Sequence, residues 1–376
     1  MRTSLCDLLG IEFPIFAFSH CRDVVAAVSR AGGFGVLGAV GYSAEQLEIE
    51  LSWIDRNIDG KPYGVDIVIP AKYVGRDQGN MSREELDKMI PEAYRTFIDA
   101  LLDENEVPPL PTEVEETSGM VGWNLVDGRK AVDVALKHPT RLLVNALGPP
   151  PKDVIDAAHA NGVLVAALVG RADQALKQKQ AGVDIIVATG NEAGGHTGEI
   201  STMVLVPQVV DAVGDTPVLA AGGIGCGRQM LASMALGAQG VWTGSIWLTV
   251  AEADEFETVT QKLLEASSTD TVRSRCLTGK PVRQLKTDYT NAWDDPETLM
   301  PLPMPLQILA TARALQRIYR HAQTRHPTAG NLIGSPVGQI VGMMNNVKSS
   351  KAVVMEMAIE YLEAQEKLQT LISRIK

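Results

Sequence analysis

The chain has 376 residues, with 34 Lys and Arg against 45 Asp and Glu, for a formal net charge of -11. That balance opposes nonspecific attraction to polyphosphate, so nucleic acid is not expected as a partner. Four cysteines, Cys6, Cys21, Cys226 and Cys276, stand far apart without metal-ligand spacing, Asp7 precedes any long apolar run, and no apolar stretch approaches the ~20 residues of a membrane span; the expectation is a soluble cytoplasmic chain with reduced thiols, no secretory signal and no metal.

The chain then alternates. An apolar run at 14–18 precedes Val24, Val25, Val28 and Ala31 at helical spacing, which predicts a strand and its helix. A second strand follows at 34–38, and Ser43 caps a helix with Leu47, Leu51 and Ile54 on one face. A third strand at 63–69 carries Asp66 in apolar company, an acid that wants a partner. From about 71 to 128 the alternation breaks: charges crowd 83–92 and prolines occupy 108, 109 and 111. This is too long for an ordinary connection and reads as an insertion, helical at first, either a lid over the site or a surface embellishment.

Regularity returns with strands at 141–146, 162–168, 183–187, 217–221 and 240–245, separated mainly by helices at 152–160, 172–181, 203–213 and 227–236. Eight short, nearly unbroken apolar runs are what strands buried on both faces look like. Eight βα units in one direction predict an α/β fold of the (β/α)8, or TIM, barrel type over 1–248, with the insertion after strand three. A doubly wound open sheet is disfavoured because the first turn has no G-x-G-x-x-G. The remainder, 249–376, reads as a helical substrate or lid domain, with helices at 253–266 and 306–319 and a long amphipathic helix at 351–375 whose face of Val354, Met357, Tyr361, Leu368, Leu371 and Ile375 is expected to be buried.

Chemistry gathers after the sixth strand, in Ala188-Thr189-Gly190-Asn191-Glu192-Ala193-Gly194-Gly195-His196-Thr197-Gly198. Glycines let backbone approach a ligand, and His196 is a titratable group at the strand end where barrel enzymes place their sites. Gly222-Gly223-Ile224-Gly225 follows the seventh strand and Thr243-Gly244-Ser245 the eighth; with a helix amino terminus, such a pair predicts a cradle for a phosphorylated cofactor. Arg273, Arg275, Lys280, Arg283 and Lys286 cluster around Thr278-Gly279-Lys280-Pro281, either recognising an acidic substrate or forming a solvated loop. His20 either lines the pocket or begins a helix, and Cys226 reads as a small buried thiol.

The run Glu192-Ala193-Gly194-Gly195-His196-Thr197-Gly198, with Ala181-Gly182-Val183-Asp184 before it and 217–224 and Gly244-Ser245 after it, resembles the nitronate monooxygenases, formerly called 2-nitropropane dioxygenases. The resemblance begins at Phe13-Pro14-Ile15 and covers most of the first 250 residues apart from the insertion. It implies an FMN-bound barrel with a second helical domain over the flavin, acting on a nitronate or related carbon acid with dioxygen; a homodimer is left open. By position it implies His196 as the active-site base, or as the group that orients a substrate arriving as the anion. Gly222, Gly223 and the Trp242, Thr243, Gly244 and Ser245 turn would bind the phosphate, and Gly194 would lie near the cofactor. Phe18, Asp66 and Thr189 would line the flavin pocket, Asp66 where the family usually has asparagine and Thr189 where glutamine is common. The alternatives are an FMN-dependent NAD(P)H:quinone or enoyl-thioester oxidoreductase, and an FMN-binding protein without turnover.

Overall fold

The structure is a computed structural model that describes residues 1–70, 73–74, 81–111, 125–324 and 326–374. The other parts of the insertion, and Ile375 at the end of the terminal helix, lie outside the described residues. Along the chain run β1 (Ile15–Ser19), β2 (Phe34–Gly38), β3 (Tyr63–Ile67), β4 (Leu142–Asn145), β5 (Leu164–Val169), β6 (Ile185–Thr189), the two-residue β7 (Gly195–His196), β8 (Val218–Ala221) and β9 (Gly240–Thr243). All but β7 join in parallel as a closed eight-stranded barrel, sealed where Phe16 of β1 stands beside Trp242 of β9. The predicted TIM barrel is therefore present, with β8 and β9 as its seventh and eighth strands.

Side chains alternate across each strand and sort into two cores. Phe16, Phe34, Val36, Leu142, Val144, Ile185, Val187, Leu219 and Trp242 fill the barrel, while Val65, Ile67, Leu143, Ile186 and Val241 meet the surrounding helices. The barrel's amino-terminal end is plugged by the helix Ser4–Leu9, whose Leu5, Cys6 and Leu9 join the inner cluster. Each such buried side chain contributes roughly 1.5–3 kcal/mol. With that end closed, only the carboxyl ends of the strands are left to hold a ligand. Helix Ala44–Asn57 begins as expected, with Ser43 and Gln46 forming a reciprocal cap.

The described part of the insertion forms the helices Arg83–Asp87 and Glu92–Glu104, which pack on the carboxyl-terminal region. Leu86 and Ile90 cluster with Leu306 and Leu309, and the Phe97 ring meets Trp293 edge-on at 4.9 Å.

Two expectations for the carboxyl-terminal region need correction. Helices Glu257–Glu265, Leu306–Gln323 and Ser350–Ser373 are present, but β10 (Thr271–Ser274) and β11 (Val282–Leu285) stand among them as an antiparallel hairpin. Its strands carry Arg273, Arg283 and Gln284, so no continuous apolar run announces them. The face of the terminal helix is buried only at Val354, Met357 and Tyr361; Leu368 and Leu371 are 45% and 59% exposed, because the helix runs on past the elements that cover its first half. That first half lies tight on helix Gly227–Ala235, where a Cβ on Gly227 would fall 2.2 Å from the Tyr361 nitrogen.

A similar close approach at Gly35 gives a test of the packing. A Cβ there would stand 2.3 Å from the Val25 carbonyl oxygen, with two further backbone atoms of Val25 at 2.8 Å. Gly35→Ala is expected to destabilise the protein by about 1–3 kcal/mol or more. Urea denaturation checks this, and an unchanged midpoint would show that helix Arg22–Arg30 is not pressed on β2.

Candidate active site

Strand parity decides which predicted side chains reach the open end of the barrel. Because Tyr63, Val65 and Ile67 pack outward, Asp66 points inward; the same alternation turns Phe18, Thr189 and Trp242 inward and Thr243 outward. Phe18 and Trp242 stack with ring centroids 6.1 Å apart, forming one wall. Thr189 is buried, and its one hydrogen bond among the described residues is a long 3.4 Å contact to the Val187 carbonyl. Thr243 donates instead to the Phe16 carbonyl and accepts from Trp247 Nε1, so only its backbone faces the predicted cradle.

Asp66 is 5% exposed, and its Oδ1 has no hydrogen-bond partner among the described residues. Burial raises its carboxyl well above the usual carboxylate range. Beside it, the His20 ring lies against Gly38, with Nδ1 2.9 Å from the Gly38 carbonyl oxygen and its face 5.2 Å from Phe18. A Cβ on Gly38 would stand 2.7 Å from that ring. His20 therefore lines the mouth, the first of its two expected roles, and burial lowers its imidazole below the ordinary value.

His196 is held by a sheet that the sequence did not reveal. Strand β7 pairs with β11, placing His196 beside Val282 and Gly195 beside Arg283. The hairpin's arginines grip the rest of the loop: Arg283 Nε donates to the Asn191 carbonyl at 2.8 Å, and Arg273 makes a two-pronged pair with Glu199 and reaches the Thr197 carbonyl. These two arginines are thus neither solvated nor aimed at an acidic substrate. Glu192 turns away to cap helix Thr202–Val213, accepting from the Thr202 amide and hydroxyl.

Thr278, which sequence reasoning passed over, contacts His196 Nε2 through Oγ1 at 2.8 Å. Thr278 Oγ1 also accepts from the Lys280 amide at 3.3 Å and lies 3.4 Å from the Lys280 carbonyl oxygen, so the hydroxyl donates to Nε2 or accepts from it according to the tautomer of the ring. Burial, reinforced by the Lys280 ammonium, lowers His196 to about 4. The imidazole is neutral near pH 7 and a weaker base than its type suggests.

The cradle is built on backbone. Gly222 and Gly223 hold φ of 102° and 69°, where glycine is favoured. The amides of Gly223, Ile224 and Gly244 donate to no described residue. One expectation changes here. The first amide of helix Gly227–Ala235 is taken by the Glu360 carboxylate at 2.9 Å, and the Gly225 amide by Gln229 Oε1 at 2.8 Å, leaving the anion to the turns. Gly194 is glycine for the chain's own packing, since a Cβ would fall 2.8 Å from the Gly338 nitrogen and from Val337. Ser245 Oγ accepts from that same Gly338 amide at 2.9 Å, and its own proton remains for donation. Cys226 is partly exposed and donates to Gln229, so it is not a buried thiol. Orphaned Asp66, the unpaired amides and the positive-φ glycines fit a phosphorylated ring cofactor; no group of three or more metal-ligating side chains occurs among the described residues.

The sequence model of the family described as nitronate monooxygenase matches residues 2–360. The chain is 51% identical, over all 376 residues and the whole of the relative, to a Mycobacterium tuberculosis protein named as a monooxygenase. It is 30% identical to a "Probable nitronate monooxygenase" of Staphylococcus haemolyticus, covering 87% of this chain and 90% of that one. Among solved structures, FabK from Thermotoga maritima superposes with a TM-score of 0.74 at 27% identity over 99% of each chain. A nitroalkane oxidase from Streptomyces ansochromogenes gives 0.78 at 24% identity, over 97% of this chain and 100% of that one, a likeness of fold.

The His196 environment predicts a titration that NMR can follow. Its imidazole resonances should move near pH 4 rather than 6.5, charge being gained only below that value. A midpoint above 6 would show that burial and Lys280 do not govern the ring.

Proposed function

Because the chain belongs to the nitronate monooxygenase family of flavin-dependent oxidoreductases, we propose that it binds FMN at the open end of the barrel and oxidises alkyl nitronates with dioxygen. The observation that carries the choice of substrate is the protonation of His196. Lowered to about 4, the imidazole is a poor acceptor for the proton of a neutral nitroalkane. A neutral imidazole still carries one N–H, and the nearby Lys280 ammonium adds positive potential. A substrate that arrives as the anion suits both. Of the two roles expected for His196, orienting the nitronate is therefore favoured over general-base catalysis.

The backbone amides of Gly223, Ile224 and Gly244, with the Ser245 hydroxyl, would hold the FMN phosphate. Phe18, Trp242, Thr189 and Asp66 would bound the ring. Bound FMN would supply the electron acceptor and the place where dioxygen reacts. The protein's share is position: the three-stranded sheet and the Thr278 contact hold the imidazole, and the closed far end of the barrel turns the site to the carboxyl ends of the strands. Four free cysteines and the lack, among the described residues, of any helix long and apolar enough to cross a membrane suit our assignment to the cytoplasm. The alternative, an FMN-dependent NAD(P)H:quinone or enoyl-thioester oxidoreductase, keeps the same barrel, since a solved enoyl reductase domain shares the fold.

Oxygen uptake by the FMN-loaded protein separates these readings. Preformed nitronate should be consumed at once, and the neutral nitroalkane only as fast as it ionises in solution. His196→Ala should slow nitronate turnover by about tenfold or more, as loss of one charge-assisted hydrogen bond would. Bleaching by NADH with no response to nitronate would favour the alternative.

A further inference from the structure

Asp66 is the one residue at the barrel mouth whose chemistry the proposed activity leaves unexplained. Its side chain projects from β3 into the barrel, between Gly38 of β2 and Val144 of β4, and is almost wholly buried. Among the described residues, neighbouring elements offer it no counter-charge. From β2 comes Gly38, over which the neutral His20 ring lies; from β4 come Val144 and Asn145, and the Asn145 amide bonds the backbone of Ile69 and Gly148. Inward-facing Phe18 of β1 and Thr189 of β6 are uncharged. An ionised carboxylate here would leave Oδ1 buried without a donor, a costly arrangement. A carboxylic acid in the same place has a proton to give.

We propose that Asp66 serves this site as a neutral carboxylic acid, donating its proton in a hydrogen bond to an acceptor atom of the bound flavin ring. The inference rests on the FMN reading above and deepens it. Asparagine at this position would donate through an amide; the aspartic acid donates equally while uncharged and, unlike asparagine, loses that ability when it ionises. Neutrality also matters to the substrate, because a carboxylate at the mouth would repel a nitronate anion that His196 and Lys280 attract. The direction of the carboxyl's shift, upward with burial as its cause, agrees with a retained proton.

Infrared spectroscopy and FMN titration together test this on the whole chain. At pH 7.5 the wild-type protein should show the carbonyl stretch of a buried protonated carboxyl, displaced when FMN is added and missing from Asp66→Asn. Apo-protein titrated with FMN should bind about equally well in wild type and Asp66→Asn at that pH, and about three- to tenfold more weakly in Asp66→Leu, which keeps the volume and loses the donor. Raising the pH through the range where Asp66 ionises should weaken wild-type binding by about tenfold per unit, with Asp66→Asn correcting for ionisation of FMN itself. An ionised carboxylate band in place of the protonated one, or Asp66→Leu binding as tightly as Asp66→Asn, overturns the proposal while leaving FMN binding intact. Failure of all three proteins to bind FMN overturns the cofactor assignment and this inference with it. Should Asp66→Leu fail to fold, the band and the comparison of wild type with Asp66→Asn over pH still decide.

Discussion

A loop with four glycines between positions 190 and 198 cannot by itself hold an imidazole still, and the structure depends on how that is solved. Each glycine enlarges the set of backbone conformations to be suppressed. The hairpin β10–β11 suppresses them: it donates two strands, lends Arg283 to the Asn191 carbonyl and Arg273 to Glu199 and the Thr197 carbonyl, and offers Thr278 to the ring. The glycines are then an asset, since they let other backbone pass within contact distance. Rigidity at His196 comes from a segment roughly eighty residues downstream, so the barrel alone does not make the site.

The same long-range character explains what was legible in the sequence. Barrel strands such as Val36 to Gly38 or Ile185 to Ala188 are buried on both faces, which forces near-continuous apolar runs that stand out in any reading. The glycine turn after β8 was visible because Gly222 and Gly223 have a local cause, a positive φ, whereas Gly244 after β9 has φ of -123° and no close contact. Phe18, Asp66 and Thr189 were placed at the mouth by the family resemblance, and the strand parity seen in the structure turns all three inward. The hairpin was not visible. Its Arg283 is 8% exposed and Gln284 3%, so it is a strand stabilised by buried polar groups that find partners far away in the chain. No local pattern encodes that. Thr278 was passed over for the same reason, and the cluster of basic residues around it was noticed without its meaning, because charge alone does not say what it faces. The terminal helix erred the other way: its stripe is regular throughout, while cover for it ends near Tyr361.

Electrostatically, the mouth of the barrel disposes of charge in favour of one sign. Desolvation lowers the His196 and His20 imidazoles, burial raises the Asp66 carboxyl, and Glu192 is engaged with Thr202. Lys280 keeps an ammonium near His196, and unpaired amides lie at the turns. In a chain with net charge -11, a site of this polarity must be made locally, by choosing which titratable groups lose their charge on burial. For the anionic substrate and cofactor phosphate proposed above, this arrangement would offer donors and positive potential.

The strap at 337–339 joins the two halves of this arrangement. Gly338 donates to Ser245 Oγ in the turn after β9, and the next amide, Gln339, donates to the Glu192 carbonyl in the loop that carries His196. Gly338 and Gly194 approach so closely that a Cβ on either would collide with the other's backbone. The group that would grip the phosphate and the group that would orient the substrate are therefore fixed to one short segment of the carboxyl-terminal region, and displacement of either is transmitted to the other through two hydrogen bonds.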